Sequence, residues 1–172
     1  MKLASAPVPT LARLLALAAA LTLATAWADD YSDVSQLLHG GRLAEAQAKV
    51  DQYLAAKPRD PQMRYFKGLI QRAAGQPDQA LATFTQLTED FPELPEPYNG
   101  LAVLYAAQGE YDKARSALEM AIRTNPGYAT AYENLGDIHA QLARQAYCKA
   151  QQLEAGNAEV KSKLAKINAQ CP

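Results

Sequence analysis

Residues 95–128 read PEPYNGLAVLYAAQGEYDKARSALEMAIRTNPGY, and the fold is decided by how this stretch recurs. Gly109 divides it into two helix-forming halves and Pro126 closes it. Moving outward by the length of the stretch finds the same residue types. Gly41 and Gly75 match Gly109, Ala46 and Ala80 match Ala114, and Pro58 and Pro92 match Pro126. A 34-residue period of glycine, alanine, a bulky residue and proline marks a stacked helix–turn–helix array.

Each position has a physical reason. Repeats begin near residues 27, 61, 95 and 129. Small residues at their eighth and twentieth positions, such as Gly68 and Ala80, or Ala102 and Ala114, let the two helices of a unit approach closely. Larger side chains fill the remaining space. Glycine at the fifteenth position permits the positive φ that ends the first helix sharply. Proline at the thirty-second cannot continue the second helix. Asp60-Pro61 reads as an N-cap followed by proline at the first helical position. A helix pair alone buries only part of its apolar face, so each depends on stacking against the next.

The outer repeats depart from the pattern. In the first, Gly41, Leu43, Ala46, Val50, Tyr53 and Pro58 fit a second helix over about 42–56, preceded by a short polar helix over 30–39. In the fourth, Tyr132, Leu135, Gly136 and His139 match the first helix. Ala143, Tyr147, Ala150 and Leu153 match the second, five residues early. The missing five are the turn with its glycine, which predicts one long helix over 129–155, ending at Gly156, with Asn157 capping the next. Val160, Leu164 and Ile167 then share one face, with Lys161, Lys163 and Lys166 elsewhere. That amphipathic segment, 157–170, reads as a capping helix, with a membrane-surface or partner-docking helix as the alternative.

Gly68, Gly75, Ala80, Phe84 and Pro92 in the second unit resemble the tetratricopeptide repeat. So do Tyr98, Leu101, Ala102, Tyr105, Gly109, Tyr111, Ala114, Leu118, Ala121 and Pro126 in the third. The resemblance runs over essentially all of residues 29–172, as repeats 29–60, 61–94, 95–128 and 129–155 plus the cap. It implies an all-α fold, an α-solenoid of antiparallel helix pairs. It also implies a concave groove lined by the first helix of each pair. Carried over position by position, the lining is Gln62, Tyr65, Phe66, Leu69 and Arg72, then Glu96, Asn99, Val103 and Ala106, then Thr130, Glu133, Asn134 and Asp137. Such a groove is aromatic and apolar at one end and acidic at the other, which suits an extended or helical peptide with an apolar anchor and a basic flank. The subclass that clamps the C-terminal carboxylate of chaperones is excluded. Tyr31, Ser35, Phe66, Glu96 and Gly100 occupy its sites, none is basic, and Glu96 repels a carboxylate. The tyrosines Tyr53, Tyr65, Tyr98, Tyr105, Tyr111, Tyr128, Tyr132 and Tyr147 fall mostly where aromatics pack, and are read as core first and binding platform second.

Residues 1–28 read as an export signal. Lys2 and Arg13 precede the uncharged run Leu14 to Ala24, and Ala26-Trp27-Ala28 offers a small-x-small cleavage site before Asp29. The run is too short to span a bilayer, which needs roughly 20 apolar residues. An uncleaved anchor or amphipathic surface helix is the alternative; no cysteine follows the run, so a lipid anchor there is ruled out. Cleavage after Ala28 leaves 15 basic and 18 acidic residues, a weakly acidic chain without a basic cluster. Nucleic acid and anionic membrane surfaces are poor partners for it.

Cys148 and Cys171 are the only cysteines. An oxidising compartment favours their pairing. In a helical hairpin turning near Gly156, however, Cys171 overshoots Cys148 by about six residues, roughly 9 Å. A bridge requires the last helix to end near Ile167 and the tail to fold back; two separate thiols are the alternative. His39 and His139 lie in different repeats without a second ligand at helical spacing, so no metal site is expected. Glu133 and Asp137 share a helix face, read as groove or solvated carboxylates rather than an acid/base pair. With no phosphate loop, dinucleotide fingerprint or nucleophile turn, neither a cofactor nor an enzymatic activity is expected. The expectation is a non-catalytic periplasmic adaptor that binds envelope proteins. A self-associating or membrane-peripheral module is its rival.

Overall fold

The computed structural model describes residues 30–171, so the expected leader and its cleavage site lie outside the described residues. Every regular element among them is a helix. In chain order these are α1 over 30–39, α2 Leu43–Ala56, α3 Pro61–Ala73, α4 Pro77–Asp90, α5 Pro95–Ala107, α6 Tyr111–Thr124, α7 Ala129–Leu153 and α8 Ala158–Lys166. Where length points to one domain's worth of chain, the described residues form two compact units, divided in sequence between Pro58 and Arg59.

In the first unit Val34, Ala46 and Val50 are fully buried. The Tyr31 and Tyr53 hydroxyls lie 3.0 Å apart, and Lys49 pairs with Asp33. The turn after α1 shows why the repeated glycine is needed. Gly41 has φ 70°, the Arg42 N–H donates to the Leu37 carbonyl at 2.9 Å, and the Gly41 N–H donates to that of Leu38 at 3.1 Å. The same two bonds recur around Gly75 and Gly109, also at positive φ. A left-handed residue there satisfies carbonyls that the helix end would otherwise leave unpaired.

In the second unit α3 opens as its sequence directs, with the Asp60 carboxylate accepting the Met63 N–H at 2.8 Å and Pro61 in the first turn. Helices α3, α5 and α7 each pack against the next, whereas the backbones of α4 and α6 do not approach each other closely. The layer α3/α5/α7 is therefore the inner one. Phe84, Leu87, Leu101, Leu104, Leu118 and Ile138 share one core with Ala80, Ala114 and Ala121. Phe84, from α4, wedges its ring between Gly68 of α3 and Gly100 of α5. A Cβ on Gly68 would stand 2.7 Å from Phe84 Cζ and closer still to Cε1; one on Gly100 would stand 2.7 Å from Cε2. The repeat pattern assigns Gly68 this close approach but predicts no such role for Gly100.

Helix α7 runs unbroken for 25 residues, about 37 Å at 1.5 Å per residue. Ala143 stands where the repeat period would place a fourth glycine, and the good helix formers around it give the chain no reason to turn. One sequence reading is corrected in detail. The buried small residue is Cys148, 34 positions after Ala114, not Ala143, which is only partly buried. Cys148 packs with Val160 and Leu164 of α8 in a separate small cluster.

The cap helix is shorter than the expected 157–170. Asn157 caps it by accepting the Val160 N–H at 3.1 Å, and it ends at Lys166. Ile167 leaves the buried face and is 38% exposed. Asn168 takes φ 50°, its N–H donates to Ala165 at 3.1 Å, and the Ala169 N–H donates to Leu164 at 3.0 Å. Asparagine here builds the same reversal that glycine builds elsewhere. The overshoot is thereby removed, and Cys148 and Cys171 are disulfide-bonded with their Cα atoms 5.4 Å apart.

Candidate functional site

The inner layer of the second unit gathers the predicted groove residues into two clusters. The first joins α3 to the start of α5 and the residue before α7. Tyr65 is partly buried, its ring 5.6 Å from that of Phe84. Burial pushes its phenol up to about 12; the neighbouring Tyr128 and the Glu96 carboxylate act in the same direction, while Arg72 opposes them. Tyr128 is raised as well, by burial and then by Glu96. Repeat matching left Tyr128 among the packing tyrosines. Its position just ahead of an inner helix was the available signal.

A phenol raised in this way favours the folded state while it keeps its proton. The contribution is complete below the ordinary tyrosine pKa near 10, and is lost as the pH rises through about 12. Each unit corresponds to about 1.4 kcal/mol, so roughly 3 kcal/mol disappears between these limits. In an alkaline titration followed by ultraviolet absorbance, one tyrosine ionises last, and Tyr65→Phe removes that step. An unchanged titration curve in the variant would refute the assignment.

The second cluster joins α5 to α7. The Asn134 side-chain amide donates to Asn99 Oδ1 at 2.7 Å. Beside this pair a cavity of about 200 Å³ is lined by Ala102, Val103, Ala106, Leu118, Asn134, Asp137 and Ile138. Leu118 and Ile138 are buried and Asp137 is exposed, so the cavity has an apolar floor and a charged lip.

Two predicted lining residues are corrected. Phe66 is 9% exposed and has little surface to offer a ligand. Asn99 is 8% exposed and presents little more than its amide edge. Leu69 packs partly buried against the core. Gln62, Thr130 and Glu133 are exposed on the same helices, outside both clusters.

His39 sits at the end of α1 with Nδ1 2.7 Å from the Ser35 carbonyl, and His139 is exposed. Among the described residues no three His, Cys, Asp or Glu side chains gather as a metal site would require, and no helix is long and apolar enough to cross a membrane.

Two family models, each for the tetratricopeptide repeat, match residues 36–95 and 71–136. Among curated proteins the chain is 42% identical over 50 residues to the chloroplastic tetratricopeptide repeat domain-containing protein PYG7 of Arabidopsis thaliana, covering 29% of this chain and 17% of that protein. It is 32% identical over 90 residues to the probable biofilm formation methyltransferase WspC of Pseudomonas putida, covering 52% of this chain and 21% of that one. The chain thus spans about a fifth of the length of the curated relatives it matches.

Among solved structures it is similar to TTC0263, a thermophilic protein of this kind from Thermus thermophilus. The TM-score is 0.62 at 26% identity, over 81% of this chain and 79% of that one. The Yersinia enterocolitica type III secretion chaperone SycD, solved with a peptide of the translocator YopD, has the same fold. Its TM-score is 0.58 at 17% identity, over 67% of this chain and 93% of that one. Repeat spacing, helix pairing and both family models agree that the chain belongs to the tetratricopeptide repeat proteins.

Proposed function

We propose that the protein is a non-catalytic adaptor of the bacterial periplasm, holding a peptide or helix of an envelope protein on the inner layer of its second unit. The fold is one that works by binding other proteins. The observation that carries the site is the α5/α7 cluster, where an amide pair and an apolar cavity stand together at an accessible face. The leader-like segment 1–28 supports export. So does the Cys148–Cys171 bridge, since such bonds persist in oxidising compartments.

The test replaces Val103 with a photo-cross-linking phenylalanine analogue in cells, with Ser116 on α6 as the outward control. Envelope-protein adducts are expected from Val103, not from Ser116, and are expected to disappear when Tyr65→Ala and Glu133→Lys are added. The periplasmic product should begin at Asp29. Adducts from both sites alike, or from neither, would sink the groove reading; adducts only with itself would favour a self-associating module.

A further inference from the structure

We propose that the α5/α7 face selects a segment of a partner protein in which an aliphatic side chain lies within about one helical turn of a lysine or arginine. This rests on the groove reading above and narrows it. The sequence pattern places apolar and acidic character at opposite ends of the groove, with Phe66 as part of the apolar end. Burial of Phe66 removes that anchor point, and the open apolar space lies instead beside Asp137. Anchor and cation are therefore neighbours in the ligand, not separated by the length of the groove.

Three features define the occupant. The cavity floor of Ala102, Leu118 and Ile138 offers no polar group, so it accepts an aliphatic side chain and penalises a polar one. Glu96, Glu133 and Asp137 make no ion pair with any described residue. On α6 and α8, by contrast, Arg115 pairs with Asp112 and Lys163 with Glu159. Glu133 and Asp137 lie one turn apart, so a single cation reaches both. After the Asn134–Asn99 bond, one amide NH2 group and one amide oxygen of the pair make no hydrogen bond to a described residue, whichever way the two amides are turned. One donor and one acceptor side by side match the carbonyl and N–H of a peptide backbone. The same carboxylates turn away acidic segments.

The test pans a phage-displayed library of random peptides on the purified protein and measures the enriched peptides, fluorescein-labelled, by anisotropy. Enriched sequences are expected to place Leu, Ile, Val or Met within three or four residues of Lys or Arg. Affinity should fall at least tenfold with Ala106→Trp, which fills the cavity, and at least tenfold with Asp137→Lys, both checked for fold by circular dichroism. Rising salt should weaken binding. No enrichment, enrichment without a cation, or undiminished binding by both variants would overturn the proposal.

Self-association of the protein abolished by Asp137→Lys would also overturn it. The occupant would then be a second copy, whose exposed Leu153 follows Lys149 by one turn. The two readings separate cleanly. If Val103 cross-links a partner whose captured segment lacks the aliphatic–cation pair, the groove stands and this selection falls. If Val103 captures nothing, both fall.

Discussion

Gly68→Ala is expected to lower stability by about 2 kcal/mol, the scale of an overpacked core, and Phe84→Leu in the same chain to restore most of it. The added methyl meets Phe84 at an edge of the ring that cannot retreat, because Gly100 already touches the opposite edge. Overpacking of this kind costs about 1–3 kcal/mol, and the upper end applies where the neighbour is held on both sides. Replacing a helical glycine by alanine returns about 1 kcal/mol of backbone propensity, which leaves the net loss. Leucine shortens the clashing side chain and opens room for the methyl. The third repeat already uses this pairing, with Ala102 and Leu118 at the corresponding positions of one core. The decisive measurement is a double-mutant cycle by urea denaturation. Additive effects of the two substitutions would show that the ring is not what excludes a side chain at Gly68.

Loss of the disulfide is expected to release the C-terminal helix while the α3–α6 core stays folded. The bridge spans a sequence separation of 23 residues, and closing a loop of this size stabilises by about 3 kcal/mol in the chain-entropy account. Helix α8 has nine residues, too few to persist without tertiary support. Its packing is the cluster of Cys148, Val160 and Leu164, with Tyr147, Ala150 and Ala169 around it. In Cys171→Ser, hydrogen-exchange protection of amides in 158–169 should drop by about a hundredfold, with little change in α5. Equal protection with and without the bridge would mean that packing alone holds the helix.

How much of this was legible in the sequence depends on the range of the cause. Gly41, Gly75 and Gly109 announce their turns because a positive φ is a property of one residue, and the structure places all three there. The fusion of the fourth repeat into α7 was equally readable, since the absence of a turn glycine is a local fact, although Cys148 keeps the 34-residue register and no residues are missing. Gly100 was not readable. Its constraint comes from Phe84, sixteen positions earlier in another helix, and only packing reveals it. Phe66 shows the same limit from the other side, because a position in a repeat gives the direction of a side chain but not the depth of what covers it. The disulfide hung on one asparagine. Asn168 in the left-handed region turns the tail back, and asparagine adopts that region far less predictably than glycine.

The same bridge changes how the molecule bears load. Tension applied at Cys171 passes through the sulfurs to Cys148 and pulls directly on α7, five residues before its last. Helix α8 and the turns beside it hang as a slack covalent loop that carries no force. With the bond intact, stretching this end unravels helix α7 and gains no length from the segment between the two cysteines. With the bond cut, that segment extends first, adding roughly 80 Å of contour at about 3.5 Å per residue before α7 feels the pull.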